Sequence, residues 1–466
     1  MRVHIRALAL ACAALLAPAP AAAAGAAAPE PRGDEAAGNA GSPEDEDEAA
    51  EASTGAPGQE RAEDDEAGEE PASWDVPWLG GIRFVPQAQY RIRYRHEEGH
   101  DFTEGRVSDT LRHRARVGLS AMWADRVGAL FQIQDVRTFG EESSPLGDYS
   151  AGGLDVHQAY ASLLPLAEVE LRLGRQEIAF ENERLLGAAD WNEPGRSFDA
   201  LRARYEARGL WVDAFYAKLR EGAAGLGLAP GSSVAGDQHL MGALVHYEIM
   251  AELSSGIMAL GERDQVTGKR LYSVGAVLAG DVGKKLFHYS AEGYYQFGKA
   301  YGDISHSAFL AAATARVTLP LAADPYLEAH ADMLSGDADP GDRLDRTFEV
   351  SLATNHKFFG EMDFFTDMER DTGERGLRDV GGALGASPVD GLDLRAAYHF
   401  FQAMASRPDE LTDFGHELDI KAAYRFWEHA SVAALYGVFF PGDIKKAGVP
   451  DVRPEHFVYA TLDVVF

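Results

Sequence analysis

The chain has 466 residues and a formal net charge of −31 at pH 7. This acidity opposes binding to nucleic acid or to any other polyanion outside a local cluster of basic side chains. The single cysteine, Cys12, lies in an N-terminal leader, so the mature chain is expected to have no thiol for a disulfide, a metal site or covalent catalysis. No stretch approaches 18 uninterrupted apolar residues, which excludes a helical membrane protein.

The N-terminus predicts export from the cytoplasm. Arg2 and Arg6 precede a short apolar core, and alanines at 22–24 offer a cleavage site. Residues 1–24 are therefore predicted to be a secretory signal peptide, too short for a membrane-spanning helix. Lipidation at Cys12 is the less favoured alternative.

Residues 25–72 form an acidic segment. Between Glu30 and Glu70 there are 16 acidic and two basic side chains and almost no large apolar ones. Because nothing offsets the chain entropy that folding would cost, the segment is predicted to be disordered. A solvated spacer is its favoured role, and a gate or tether that repels polyanions is the alternative.

From residue 73 to the C-terminus, segments of about ten residues alternate apolar and polar side chains between turns. Residues 87–95 place Gln and Arg on one face and Ala, Tyr and Ile on the other, and 111–117, 170–174 and 201–205 repeat the arginine face. A strand separates two such faces, whereas a helix does not. In an exported chain this pattern predicts an all-β fold, a transmembrane antiparallel up-and-down β-barrel over residues 73–466.

About 18 strands are expected, because bacterial single-chain barrels have even numbers of strands; residues 345–370 are the doubtful piece. A barrel of this width needs inward constricting loops to narrow its channel. Residues 457–466 alternate apolar and polar side chains as far as Phe466. This pattern predicts a last strand that closes the barrel and whose outer face contacts outer-membrane lipid. The terminal aromatic is typical of the signal read by the outer-membrane assembly machinery. A closing strand of a soluble sheet is the alternative.

Several short motifs occur together in the chain. They are LRLGRQE at 171–177, RLLG at 184–187, DWN at 190–192, RSFD at 196–199, and two longer segments at 354–365 and 415–443. This combination resembles the alginate export family. The resemblance implies an 18-stranded barrel in the outer membrane that passes an anionic polysaccharide outward through an arginine-lined constriction, with a role for periplasmic export partners. The acidic segment is not part of that pattern.

Arginines on the shared face of the early strands are the first candidate site. Guanidinium groups bind carboxylates through two-point contacts, and a series of weak sites would let a polyuronate slide. The alternative is a network of arginines and carboxylates that only stiffens the barrel. The residues are Arg91, Arg93, Arg112, Arg114, Arg116, Arg172, Arg175, Arg202 and Arg204.

The loop after the signature strand is the second candidate, with Asp190, Trp191, Arg196 and Asp199. An exposed Trp191 there would stack on sugar rings. The alternative is a folded loop in which Trp191 is the small core.

Asn355, His356 and Lys357 are the third candidate. A His beside a Lys in a Phe-rich stretch would anchor an inward loop that constricts the pore. The alternative is a buried histidine with satisfied hydrogen bonds.

These features favour a non-enzymatic channel for an anionic polysaccharide or oligosaccharide, such as an alginate-like polyuronate. A general or small-anion-selective porin is the alternative. An outer-membrane hydrolase that uses His157 or Glu177 is less favoured, because neither residue lies in a nucleophile motif. No metal triad or phosphate-binding loop stands out, so no metal, cofactor or nucleic-acid partner is expected.

Overall fold

A computed structural model describes most of the region beyond the acidic segment. The predicted signal peptide and the acidic segment lie outside the described residues. The described residues are 74–76, 81–98, 102, 107–141, 153–222, 236–250, 252–283, 286–447, 449 and 451–466.

Within the described residues the chain forms twenty strands and three short helices. The helices are a 3-10 helix (Asn355–Lys357), α1 (Met368–Thr372) and α2 (Asp443–Lys446). Among the residues placed by the structure, no helix has the length and apolar character needed to span a bilayer. The strands are β1 (Trp74–Val76), β2 (Ile82–Glu98), β3 (Val107–Trp123), β4 (Val127–Thr138), β5 (Leu154–Leu166), β6 (Val169–Gln176), β7 (Phe198–Ala207), β8 (Leu210–Arg220), β9 (Gln238–Met250), β10 (Leu253–Asp264), β11 (Arg270–Val282), β12 (Phe287–Tyr301), β13 (Ile304–Thr318), β14 (Tyr326–Leu334), β15 (Leu344–Asp345), β16 (Leu377–Val389), β17 (Leu392–Gln402), β18 (Asp413–Trp427), β19 (Ala430–Pro441) and β20 (Glu455–Val465).

Eighteen of the described strands close into an antiparallel barrel. Strands β2 to β14 pair in chain order, β14 then pairs with β16, and the order continues to β20. The last strand closes the ring on the first, with Gln89 opposite Val465, and the terminal Phe466 exchanges two backbone hydrogen bonds with Ala88. The remaining two strands are accessories, since β1 adds to β2 and the two-residue β15 adds to β13. The predicted architecture and strand number are confirmed, and residues 345–370 supply no barrel strand.

The strands turn their apolar side chains outward. In β2 the side chain of Tyr90 is 40% exposed, whereas that of Arg93 is 2% exposed. Leu171, Leu173 and Leu201 are likewise exposed on β6 and β7. A soluble barrel would show the reverse order, because apolar surface is disfavoured in water. An outward apolar band is what a bilayer requires.

Two long connections fold back among the strands and bring an apolar core with them. We call residues 177–197, between β6 and β7, the first inward segment, and residues 346–376, between β15 and β16, the second inward segment. Phe180 of the first and Phe348 and Phe365 of the second are buried. The predicted inward loops are thus present, and they fill part of a lumen that wall side chains could not fill.

Candidate functional site

The first inward segment crosses the lumen. Its Arg184 forms ion pairs with Glu292 on β12 at 3.0 Å and with Asp332 on β14 at 2.9 Å. Six residues later, Asp190 pairs with Arg91 on β2 at 3.1 Å. Strand β12 lies ten strands from β2 in one direction around the barrel and eight in the other. The segment therefore contacts opposite walls.

Asp190 holds three arginines of the facing wall. Its carboxylate lies 2.9 Å from the guanidinium of Arg114 and 3.3 Å from that of Arg116, besides its pair with Arg91. Burial raises the pKa of this carboxyl, but the positive charges of Arg114 and Arg91 outweigh the burial and hold the pKa at about 2. Arg114 is fully buried, so its charge stabilises the fold and is not accessible to a solute.

Trp191 has the contacts of a core residue. Its ring stacks on that of His356 with 3.6 Å between centroids. The guanidinium of Arg93 covers it at 3.7 Å, and its Nε1 donates to Asp363 at 3.1 Å. Arg93 also pairs with the buried Glu193 at 3.0 Å. This placement is that of a folded loop with Trp191 at its centre, and stacking on a sugar stays a prediction.

A second arginine group, on β6 and β7, is mostly neutralised. Asp213 on β8 is buried and accepts hydrogen bonds from Arg202 and Arg204, each at 2.9 Å. Arg172 donates to Glu170 on its own strand at 2.7 Å. These arginines share the inner face that the alternation predicts, but carboxylates of the wall already occupy them.

Arg112 is the most exposed of the predicted arginines on the inner face. Its ion pair with Glu193 is 3.9 Å long, and its side chain is 35% exposed.

Arg175 lies on the outer face of the wall, contrary to the prediction that it shares the inner face. It alternates in step with the exposed Leu171 and Leu173, and its register partner Asp199 alternates in step with the exposed Leu201. Its ion pairs with Asp155 and Asp199, both 3.7 Å long, therefore do not face the lumen.

The remaining predicted residues tie the two inward segments together. Arg196 donates to the carbonyl oxygen of Ser351 at 3.0 Å. Lys357 pairs with Glu183 at 2.6 Å, while Asn355 donates to backbone carbonyls of its own segment. Asp199 takes no part in this link, since its carboxylate is mostly exposed.

His356, whose ring stacks on Trp191 of the first inward segment, also contacts two carboxylates of its own segment. Its Nδ1 lies 2.8 Å from Asp363 and its Nε2 lies 3.3 Å from Glu361. Burial lowers the pKa of His356, but these two carboxylates outweigh the burial, and the pKa is raised above its ordinary value of 6.5. The folded protein thus binds the proton of His356 more tightly than the unfolded chain does.

The raised pKa of His356 predicts that alkaline pH weakens the packing of the inward segments. A group whose folded pKa lies above its unfolded value contributes stability that is complete below about pH 6.5 and is lost as the pH rises through the folded pKa. The urea midpoint of unfolding is therefore expected to fall as the pH rises above 6.5. In His356→Gln this fall should be smaller, whereas His306→Gln, which alters another buried His–Asp pair, should retain it in full. An equal fall in His356→Gln would contradict the assignment.

The two residues of the hydrolase alternative do meet in the fold. His157 Nε2 lies 2.6 Å from Glu177, and Ser197 Oγ lies 3.3 Å from His157 Nδ1. Arg116 also approaches Glu177, at 3.5 Å, and His157 is buried. The chain of contacts connects β5 with both ends of the first inward segment, which gives it a positioning role.

A neighbouring part of the wall, three strands from β2 around the closed barrel, carries residues whose role the sequence did not predict. Glu417 and Asp419 on β18 are buried. Glu417 accepts a hydrogen bond from the backbone N–H of Met362 at 3.0 Å, and Asp419 accepts one from that of Glu361 at 3.4 Å. Lys421 pairs with Glu361 at 2.9 Å. The alternation of residues 417–421 could have placed these side chains on the inner face, but not against the second inward segment. They anchor that segment to the wall.

The chain is similar to known proteins in both sequence and fold. A family model described as alginate export matches residues 84–459. No curated protein matches the chain. The fold is similar to that of the outer membrane protein OpdK of Pseudomonas aeruginosa, at 13% identity and a TM-score of 0.54, with 82% of this chain and 98% of that chain covered. OpdK has also been solved with vanillate, at a TM-score of 0.53.

Two further structures share the architecture. OccAB2 of Acinetobacter baumannii and OccK8 (OprE) of Pseudomonas aeruginosa are each 11% identical with a TM-score of 0.56, and each comparison covers 82% of this chain and 98% of the other. Identities this low support the fold alone. The family match, in contrast, extends over nearly the whole barrel. The protein is an outer-membrane channel, and it belongs to the alginate export family.

Proposed function

We propose that the barrel passes an anionic polysaccharide or oligosaccharide of the polyuronate type across the outer membrane, along its arginine-bearing wall. The observation that carries the proposal is Arg112, whose side chain remains 35% exposed within a wall of arginines on the inner face. A guanidinium binds a carboxylate through two parallel hydrogen bonds, and every sugar of a polyuronate carries one carboxylate.

Long ion pairs suit a conduit better than tight ones. Conduction requires sites that bind strongly enough for entry and weakly enough for release. Arg112 faces Glu193 at 3.9 Å, whereas Arg202 is held by Asp213 at 2.9 Å. A passing carboxylate could therefore replace the long contact at little cost and then leave.

The role of periplasmic export partners, and recognition of Phe466 by the assembly machinery, stay predictions from the sequence.

Block of single-channel current by oligouronates tests the proposal. In planar bilayers, the variant Arg112→Gln is expected to weaken block by about tenfold, equivalent to about 1.4 kcal/mol. The matched control is Arg316→Gln on β13, because the Arg316 side chain is 36% exposed but is tightly paired with Glu328 at 2.6 Å. That variant should be blocked as the unmodified protein is. Equal block in all three proteins would overturn the proposal.

A small-anion channel is the second candidate function. It is favoured because the two inward segments fill part of the lumen. The inward segments leave less room for a polymer, and the structurally similar OpdK was solved with vanillate, a small carboxylate. This candidate predicts current carried by simple anions with no block by oligouronates of any length. The same bilayer series therefore separates the two functions.

A further inference from the structure

Two histidines meet on the inner wall across a glycine. His330 on β14 lies opposite Gly381 on β16, and Gly381 lies opposite His399 on β17. A Cβ at position 381 would lie 2.9 Å from the Nε2 of His330. The missing side chain therefore leaves the space in which the two rings approach, with 4.6 Å between their centroids.

Asp379 completes the group from two residues along β16. Its Oδ2 lies 2.8 Å from the Nδ1 of His399 and 3.5 Å from the Nε2 of His330. One donor atom from each of the three residues can be chosen so that all lie within 4.8 Å of one another. Donors of a tetrahedral Zn²⁺ site, with bonds of about 2.0 Å, are about 3.3 Å apart. The three side chains thus need only small movements to share one ion.

Two buried polar atoms of this group lack hydrogen bonds within the described residues. Asp379 is fully buried, and its Oδ1 accepts no hydrogen bond from the described residues. The Nε2 of His330 is buried and, within the same part of the chain, has no hydrogen-bond partner. Glu417, the register partner of His399, places a further buried carboxyl group beside the two histidines. A cation would satisfy the first two atoms and offset the negative charge of Asp379.

We propose that His330, Asp379 and His399 form a binding site for a divalent transition-metal ion of the Zn²⁺ type. Two imidazoles and one carboxylate suit such an ion, whereas Ca²⁺ and Mg²⁺ prefer oxygen ligands alone. Three protein ligands leave a fourth position for water from the lumen. The ion would fix β14, β16 and β17 behind the second inward segment, and the site does not depend on which solute passes.

Titration of the purified, folded, full-length barrel with metal tests the site. After treatment with a chelator, isothermal titration calorimetry with Zn²⁺ is expected to show one saturable equivalent, which a tenfold excess of Mg²⁺ does not displace. His330→Gln and His399→Gln should each lose that equivalent. Heat-modifiable migration in gels checks that each variant is folded.

His306→Gln is the matched control, since His306 is a buried histidine 2.8 Å from Asp345 with no second histidine in the pair; it should keep the bound equivalent. Co²⁺ added to the unmodified protein should give the visible absorption of a four-coordinate site, a measurement that needs no variant. The proposal is overturned if Zn²⁺ does not bind saturably, if both variants retain the equivalent, or if the Co²⁺ bands are absent.

Discussion

Replacement of residues 336–375 by a short turn is expected to raise the single-channel conductance of the barrel roughly two- to fivefold. An 18-stranded barrel is wide enough for an open aqueous channel, and current through it depends on the cross-section left free. Phe348 and Phe365 of the second inward segment are buried against the wall and the first segment. Their removal opens that part of the lumen to water and ions.

The fold offers a clean place for this replacement. Leu334 and Leu377 are register partners at the ends of β14 and β16, so a hairpin turn can join them without moving either strand. The control replaces residues 320–324, in the turn at the other end of β14, and should leave the conductance unchanged. An unchanged conductance in the 336–375 variant would show that the second inward segment does not limit the current.

The barrel follows directly from the period of the sequence. Residues 87–95 alternate arginine with aromatic and aliphatic side chains, and in the structure Tyr90 faces outward while Arg93 is buried inside. Side chains two residues apart share a face of a strand, and a bilayer allows only one orientation of these faces. The fold could therefore be predicted from the sequence without knowledge of any contact.

The contacts inside the barrel were harder to predict, because they join residues that are far apart in the sequence. Alternation placed Arg114 on the inner face but could not show that Asp190 would neutralise it. His330, Asp379 and His399 come together only through the register of three strands. Phe365 reads as an apolar residue in a loop, yet it is buried in the lumen, where the general pattern predicts polar side chains.

Arg184→Met is expected to cost about 3–5 kcal/mol of the free energy of unfolding. The side chain of Arg184 is 6% exposed, and it is paired with both Glu292 and Asp332. Methionine has a similar volume, so packing changes little, but two buried carboxylates lose their cation. Removing one partner of a buried ion pair costs far more than the pair itself contributes, since the remaining charge stays away from water.

Arg316→Met provides the contrast, with an expected loss below about 1 kcal/mol. The Arg316 side chain is 36% exposed, and its partner Glu328 keeps a second ion pair with Arg395 at 3.0 Å. Urea unfolding of both variants in lipid vesicles measures the difference. Adding Asp332→Asn to Arg184→Met should recover part of the loss, because the two residues are coupled. Equal losses in the two arginine variants would show that Arg184 does not brace the lumen.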